Sequence, residues 1–190
     1  RNGFVSILAN AIDEAALNGS GSSSQPTGIL NTSGIGSVAG GTNGLAPTLD
    51  HVIDLKKAVS IDNADFESAA YVTNSKVEAV LSKLKDGNSA YHLSPYAGEI
   101  GRQQIASRRF EVTNAIPSNL TKGSGSNLSA ILYGNFRDLY VGMWGSLEIL
   151  VDPYTDFAKG TTGVRAIQSI DIAVAHAESF AAMKDAIAAS

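Results

Sequence analysis

At 190 residues, with 44% hydrophobic and 17% charged side chains, the chain reads as one ordinary core or two small lobes, not as a disordered segment. A formal net charge of −4 gives no electrostatic reason for direct nucleic-acid binding, and zero cysteines exclude disulfide staples and thiolate metal sites and fit folding in a reducing cytoplasm. No apolar run approaches the roughly 20 residues that a membrane-spanning helix needs.

Residues 3–18 carry the clearest helical pattern. Phe4, Ile7, Leu8, Ala11, Ile12 and Ala15 fall on one stripe, Ser6, Asn10 and Asp13 mark the wet face, and Asn18-Gly19 supplies the stop. Sixteen residues at 1.5 Å each make a rod of roughly 24 Å. Residues 20–44 are rich in Gly, Ser, Thr and Asn and read as a surface loop, with one anchored piece at Pro26-Thr27-Gly28-Ile29-Leu30.

Thr48 is placed to cap a second helix whose stripe is Leu49, Val52, Ile53, Leu55 and Val59. A short strand is expected at 69–74, and Ser75 with Glu78 forms an S-x-x-E capping box that starts a third helix bearing Val77, Val80, Leu81 and Leu84. Further strands are expected at Ile105, Phe110-Glu111-Val112 and Ile131-Leu132-Tyr133, with a Gly/Ser loop at 122–127.

From Tyr140 to Phe180 the period becomes two. Leu147, Ile149 and Val151 alternate with Ser146, Glu148 and Asp152; after Pro153-Tyr154 and the Lys159-Gly160 turn, Val164, Ala166, Ile170, Ile172 and Val174 alternate with Arg165, Ser169 and Asp171. At ~3.3 Å per residue, 164–176 runs on the order of 40 Å, far beyond the usual strand. A ribbon that long cannot bury its own apolar face, so the first helix is expected to cover it. The organisation predicted is therefore α+β: a lobe of residues 48–141 inserted between the two parts, 1–47 and 142–190, of an elongated domain.

Chemical constellations are weak. Gly34-Ile35-Gly36-Ser37-Val38-Ala39 matches the dinucleotide pattern G-x-G-x-x-A, but Gly40-Gly41-Thr42-Asn43-Gly44 cannot form the helix whose N-terminus receives the pyrophosphate. His51, His92 and His176 show no metal-ligand spacing. Asp62-Asn63-Ala64-Asp65-Phe66-Glu67 fails as a calcium loop, because Ala64 stands at a ligand position and no Gly follows. Asp152 and Asp156 flank a turn, where carboxylates cap backbone more often than they act as an acid–base pair. No Ser sits in G-x-S-x-G. No catalytic, cofactor-binding or metal-binding residue is assigned, and the chain is not expected to be an enzyme.

Several segments together resemble the tailed-bacteriophage major capsid proteins of the Hong Kong 97-type fold. Asp13–Gly21 followed by Pro26–Leu30 is similar to that family's helix end and "G-x-G…P-x-G-I" loop. Tyr71-Val72-Thr73-Asn74 before Leu81–Gly87, then Tyr133-Gly134-Asn135-Phe136 with Tyr140, then Glu148–Tyr154, Val164-Arg165-Ala166 and Ala175–Phe180 follow in the family's order. The resemblance implies an axial lobe at 48–141 gathered around a capsomer centre, and a peripheral domain of spine helix and long strands at 1–47 and 142–190. It implies a shell subunit of a tailed phage or prophage, made in the bacterial cytoplasm and located in the virion. Such subunits partner themselves in pentamers and hexamers that enclose double-stranded DNA without reading its sequence; they are commonly built with a scaffold and trimmed by a prohead protease, and they use no membrane.

Two departures from the family stand out. Nothing here corresponds to the N-terminal arm and extended loop, and the chain opens at Arg1 without Met, so it reads as a shell subunit truncated at its N-terminal side. Thr162 and Ser169 stand where some relatives carry the asparagine and glutamate of a lysine–asparagine crosslink, and that chemistry is not expected. An encapsulin-like nanocompartment shell is the alternative function on the same fold, and a small-ligand-binding enzyme is the remote one.

Overall fold

The computed structural model describes residues 2–91 and 104–188. In chain order the elements are α1 (Asn2–Asn18), β1 (Gly36–Ser37), α2 (Leu49–Ile61), β2 (Ala69–Thr73), α3 (Ser75–Ser82), β3 (Gln104–Ile105), β4 (Arg108–Val112), β5 (Leu120–Lys122), β6 (Gly125–Asn135), β7 (Leu139–Asp152), β8 (Gly163–Val174) and β9 (Phe180–Ile187).

Seven strands form one mixed sheet in the order β1-β9-β6-β2-β4-β3, with β5 pairing the start of β6. β1 runs parallel to β9 and β2 to β4; the other pairs are antiparallel. Because side chains alternate across a strand, β2, β6 and β9 feed two cores at once. Tyr71, Ile131, Tyr133, Ala181 and Met183 point toward α2 and α3, where Val52, Leu55, Val59, Val77 and Leu81 meet them. Val72, Ala130, Leu132, Phe180 and Ala182 point the other way, against Leu17, Ile29, Leu30 and Ile116. With both faces covered, these strands read as nearly unbroken apolar runs.

The expected lobe of 48–141 thus shares its sheet with two strands from outside it, β1 and β9. The Tyr140–Phe180 alternation splits accordingly. β7 and β8 pair only with each other and form a separate ribbon that ends at Val174, while the chain from Phe180 onward crosses into the large sheet beside β6.

Local expectations are corrected at three places. The cap of α3 is Asn74, whose side chain accepts from the Val77 N–H, so Ser75 is already inside the helix and the S-x-x-E box does not form. Asn and Ser cap almost equally well, and the neighbour whose backbone was still extended took the role. A reciprocal box occurs instead on α2, where Thr48 and His51 bond each other's backbone N–H. Ile53 leaves the α2 stripe and lies exposed, since Val52, Leu55 and Val59 already fill the face toward the sheet. The 122–127 loop shrinks to a tight turn, because Gly125–Asn127 are the first residues of β6.

The segment after α1 explains the motif that carried the resemblance. Ile29 and Leu30 are buried, and a Cβ on Gly19 would lie 2.3 Å from the Pro26 carbonyl oxygen while one on Gly28 would lie 2.4 Å from the Gly19 nitrogen. Only two glycines let these backbones cross so closely.

Candidate assembly surface

Among the described residues, β7 and β8, 14 and 12 residues long, make the large surface whose chemistry does not match its surroundings. Their register places Leu139 opposite Val174, Val141 opposite Ile172 and Met143 opposite Ile170, then, beyond an irregularity, Ile149 opposite Ala166 and Val151 opposite Val164. Alternation puts these ten apolar side chains on one face, together with the polar Gln168. The opposite face carries Tyr140, Trp144, Glu148, Leu150 and Asp152 from β7 and Arg165, Ile167, Ser169, Asp171 and Ala173 from β8.

Only half of the apolar face is covered. α1 packs beside β8, leaving Ala166, Ile170 and Val174 half-buried and Ile172 fully buried. The expected cover of the ribbon by the first helix is therefore partial. The β7 half stays open to water, with Val141 44%, Met143 65%, Ile149 57% and Val151 62% exposed. Val5 and Ile7 on α1 are exposed as well. Fully burying one such side chain contributes about 1.5–3 kcal/mol, so each half-exposed residue leaves roughly 1 kcal/mol unrealised. An exposed apolar surface of this kind marks a contact site.

The residues that invited chemical readings are engaged elsewhere. Asp152 caps its own turn, accepting from the Tyr154 and Thr155 N–H groups and the Thr155 hydroxyl. The Thr155 hydroxyl, followed by the two N–H groups, holds the Asp152 carboxyl below its ordinary pKa. Asp156 pairs with Lys159 at 2.9 Å. His51 belongs to the α2 cap, His92 lies outside the described residues, and His176 lines an open groove with Asp62, Asn63, Phe66, Asp138 and Ser179. In that groove Asp138 is occupied by the Ser179 hydroxyl at 2.5 Å and the Asn135 amide at 3.1 Å. Among the described residues no three His, Asp or Glu side chains converge as a metal site. Gly36-Ser37 of the G-x-G-x-x-A stretch is strand β1, and no helix follows it before Leu49. Thr162 lies in the connection between β7 and β8, and Ser169 sits opposite Trp144.

Two polar clusters escaped the sequence reading, and both serve the fold. Asp65 accepts from the Tyr133 hydroxyl at 2.5 Å and from Arg108 at 3.1 Å, tying the loop after α2 to β4 and β6. Burial pushes the Asp65 carboxyl up, but the Tyr133 hydroxyl and the Arg108 guanidinium outweigh it and leave the pKa lowered. The same burial, with Asp65 beside it, pushes the Tyr133 hydroxyl up. Asp185 on β9 accepts from the Gly40 and Gly41 N–H groups and from Lys122 at 2.6 Å. Burial raises its pKa, and the bonds from Lys122 and the two glycines bring it below the ordinary value.

Comparison with known proteins gives this geometry a context. The major capsid protein of Halomonas phage phiHAP-1 is 22% identical over 188 residues, which are 99% of this chain and 28% of that protein. The capsid of an empty GTA particle is 23% identical with a TM-score of 0.72, covering 98% of this chain and 65% of that one. The holo-SrpI encapsulin complex from Synechococcus elongatus PCC 7942 is 14% identical with a TM-score of 0.60, over 98% of this chain and 64% of that one. The chain thus spans about a quarter of its curated relative and just under two thirds of these solved chains. The fold is of the Hong Kong 97 type. A model of the phage capsid family matches residues 2–185, and the chain belongs to that family.

Proposed function

We propose that the chain is a structural shell subunit that associates with its own copies, in rings of five and six, to enclose double-stranded DNA in a phage-type particle. The observation that carries this reading is the β7–β8 ribbon. It is long, apolar on one face and left half uncovered by the described residues. Ring closure needs unlike patches on neighbouring copies, and such a ribbon supplies an apolar patch that a copy can bury. In this reading the ribbon and α1 form the peripheral part. Residues 48–141 face the ring centre, with the 86–96 loop, of which 92–96 lie outside the described residues, and the turn between β5 and β6 toward its axis. Strands β1 and β9 travel with that lobe because they share its sheet. The role is structural and not catalytic, the particle is the chain's destination, and the net charge of −4 suits DNA that is enclosed without being read.

The encapsulin likeness concerns fold and is weaker than the likeness to the GTA capsid. Negative-stain microscopy and sedimentation of the intact gene product test the proposal. Rings or shells are the expected result, and a strictly monomeric species at high concentration would sink it.

A further inference from the structure

The ribbon's one irregularity is placed where a joint would be needed. From Trp144 to Glu148 the chain takes four steps, while opposite it β8 takes two, from Ser169 to Ile167, so Gly145, Ser146 and Leu147 face Gln168 alone. The excess is two residues. An excess of one would have turned every later side chain of β7 to the other face. An excess of two interrupts the ladder yet keeps Ile149 and Val151 on the same side as Val141 and Met143. The contact face survives the break.

The break is also soft. Gly145 takes a φ of +71°, and nothing lies within 4 Å of where its Cβ would be. In place of backbone pairing, the exposed Gln168 side-chain amide donates to the Trp144 carbonyl at 3.0 Å. Below the break the ribbon is tied to the body. Ile172 is buried, Leu139 and Val174 pack on the core beneath the sheet, and the Ala175 N–H donates to the Asp138 carbonyl at 2.8 Å. Above it, every β7 side chain from Glu148 to Asp152 is exposed, and on β8 only Ala166 and Ile167 are half-buried.

We propose that this bulge is a bending joint that lets the outer half of the ribbon meet neighbouring copies at more than one angle while the inner half stays fixed to the body. The inference rests on the shell-subunit reading: a closed shell sets identical chains around rings of five and rings of six, and their shared contact face must then accommodate two inclinations. Trp144, the chain's single tryptophan, borders the joint with its ring against Gly142 and reports on it directly.

The test is removal of the two excess residues, Gly145 and Ser146, from the intact gene product. Leu147 then stands opposite Gln168, on the apolar face, in an unbroken ladder. The variant is expected to keep the parent's melting temperature, to associate still, and to form sheets or tubes of one contact type in place of closed shells. Closed shells of the parent's size distribution would overturn the joint and leave the shell reading intact. A folded variant that stays monomeric would also overturn it, because the bulge would then be part of the contact itself. A parent that never associates removes the shell reading, and the joint with it. Amide exchange in the unassembled parent gives an independent readout: the 145–147 amides should exchange at least about tenfold faster than ladder amides on either side, as locally open backbone does. Equal protection would count against the joint.

Discussion

The seven-stranded sheet and the two-stranded ribbon are made of the same kinds of residue and have opposite fates. In the sheet, β2, β6 and β9 are buried on both faces, and residues such as Tyr71, Leu132 and Phe180 lose all contact with water. In the ribbon, Val141, Met143, Trp144, Ile149 and Val151 remain 44–65% exposed. Composition does not separate the two regions; neighbours do. The sheet has helices α2 and α3 on one side and the 29–30 segment with Leu17 on the other, whereas the ribbon has only α1 along one of its strands. Apolar side chains within the first region hold the chain together, and those of the second, in the proposed reading, are left to hold copies to one another.

The comparison breaks most visibly at Phe180, which is fully buried under the sheet with its ring edge-on to Phe136 at 5.6 Å. Phe180→Ala should destabilise the chain by about 3–5 kcal/mol, the usual cost of emptying an aromatic site in a closed core. Chemical denaturation of the isolated subunit measures it. A loss below about 1 kcal/mol would mean that the sheet is not the stable region.

Next in size is Asp185→Asn. It leaves Lys122 without its partner and weakens the acceptor for the Gly40 and Gly41 N–H groups, at a cost of roughly 2 kcal/mol, less than a fully buried pair would lose because Lys122 is partly exposed. The pH dependence has a definite sign. The folded pKa of Asp185 lies below its unfolded value, so the stability it contributes is fully present above about pH 4, the unfolded range, and is lost as pH falls through the folded pKa. Asp65 acts in the same direction. Melting temperature should therefore fall on acidification below that range, and the Asp185→Asn chain should show a shallower slope there than the parent.

How much of this was legible in the sequence follows from the range of the interactions. Helices α1, α2 and α3 and the alternation of β7 and β8 are written in neighbours three or two residues apart, and they came through, except that α3 stops at Ser82, short of the expected Leu84, and Ile7 of the expected α1 stripe is exposed. β9 did not. Phe180–Ile187 is rich in alanine and carries no alternation, because both of its faces are buried and its partner β6 lies far back in the chain. The role of Asp185 depends on glycine N–H groups some 145 positions away, which no local pattern encodes. The apolar ribbon itself was legible, and its incomplete cover was not, since that depends on where α1 comes to lie. The bulge left a trace in Gly145-Ser146 inside an otherwise apolar strand, the one local sign that the pairing is interrupted.

A smaller effect sharpens the comparison from the loop side. Ser23 and Ser24 both take positive φ, 55° and 63°, in a turn closed by the Gln25 N–H to the Ser22 carbonyl at 3.0 Å. Such turns favour Asn-Gly, and serine held there carries backbone strain. The double substitution Ser23→Asn with Ser24→Gly should stabilise the subunit by about 1 kcal/mol, read as a rise of a few degrees in melting temperature, without altering assembly.

The smallest effect on stability belongs to the ribbon, and it discriminates best between the two regions. Ile149 is 57% exposed on the outer half of β7, so Ile149→Asp removes little buried area from the subunit. Its unfolding free energy should change by no more than about 0.5 kcal/mol, as for an ordinary surface substitution. In the assembled state the same carboxylate would be carried into an apolar contact without a partner, where burying an unpaired charge is prohibitive. Sedimentation should then show a stable, folded subunit that no longer forms rings or shells, whereas Phe180→Ala should lose stability first and assembly only as a consequence. If Ile149→Asp assembled like the parent, the exposed half of the ribbon would not be the surface that copies share.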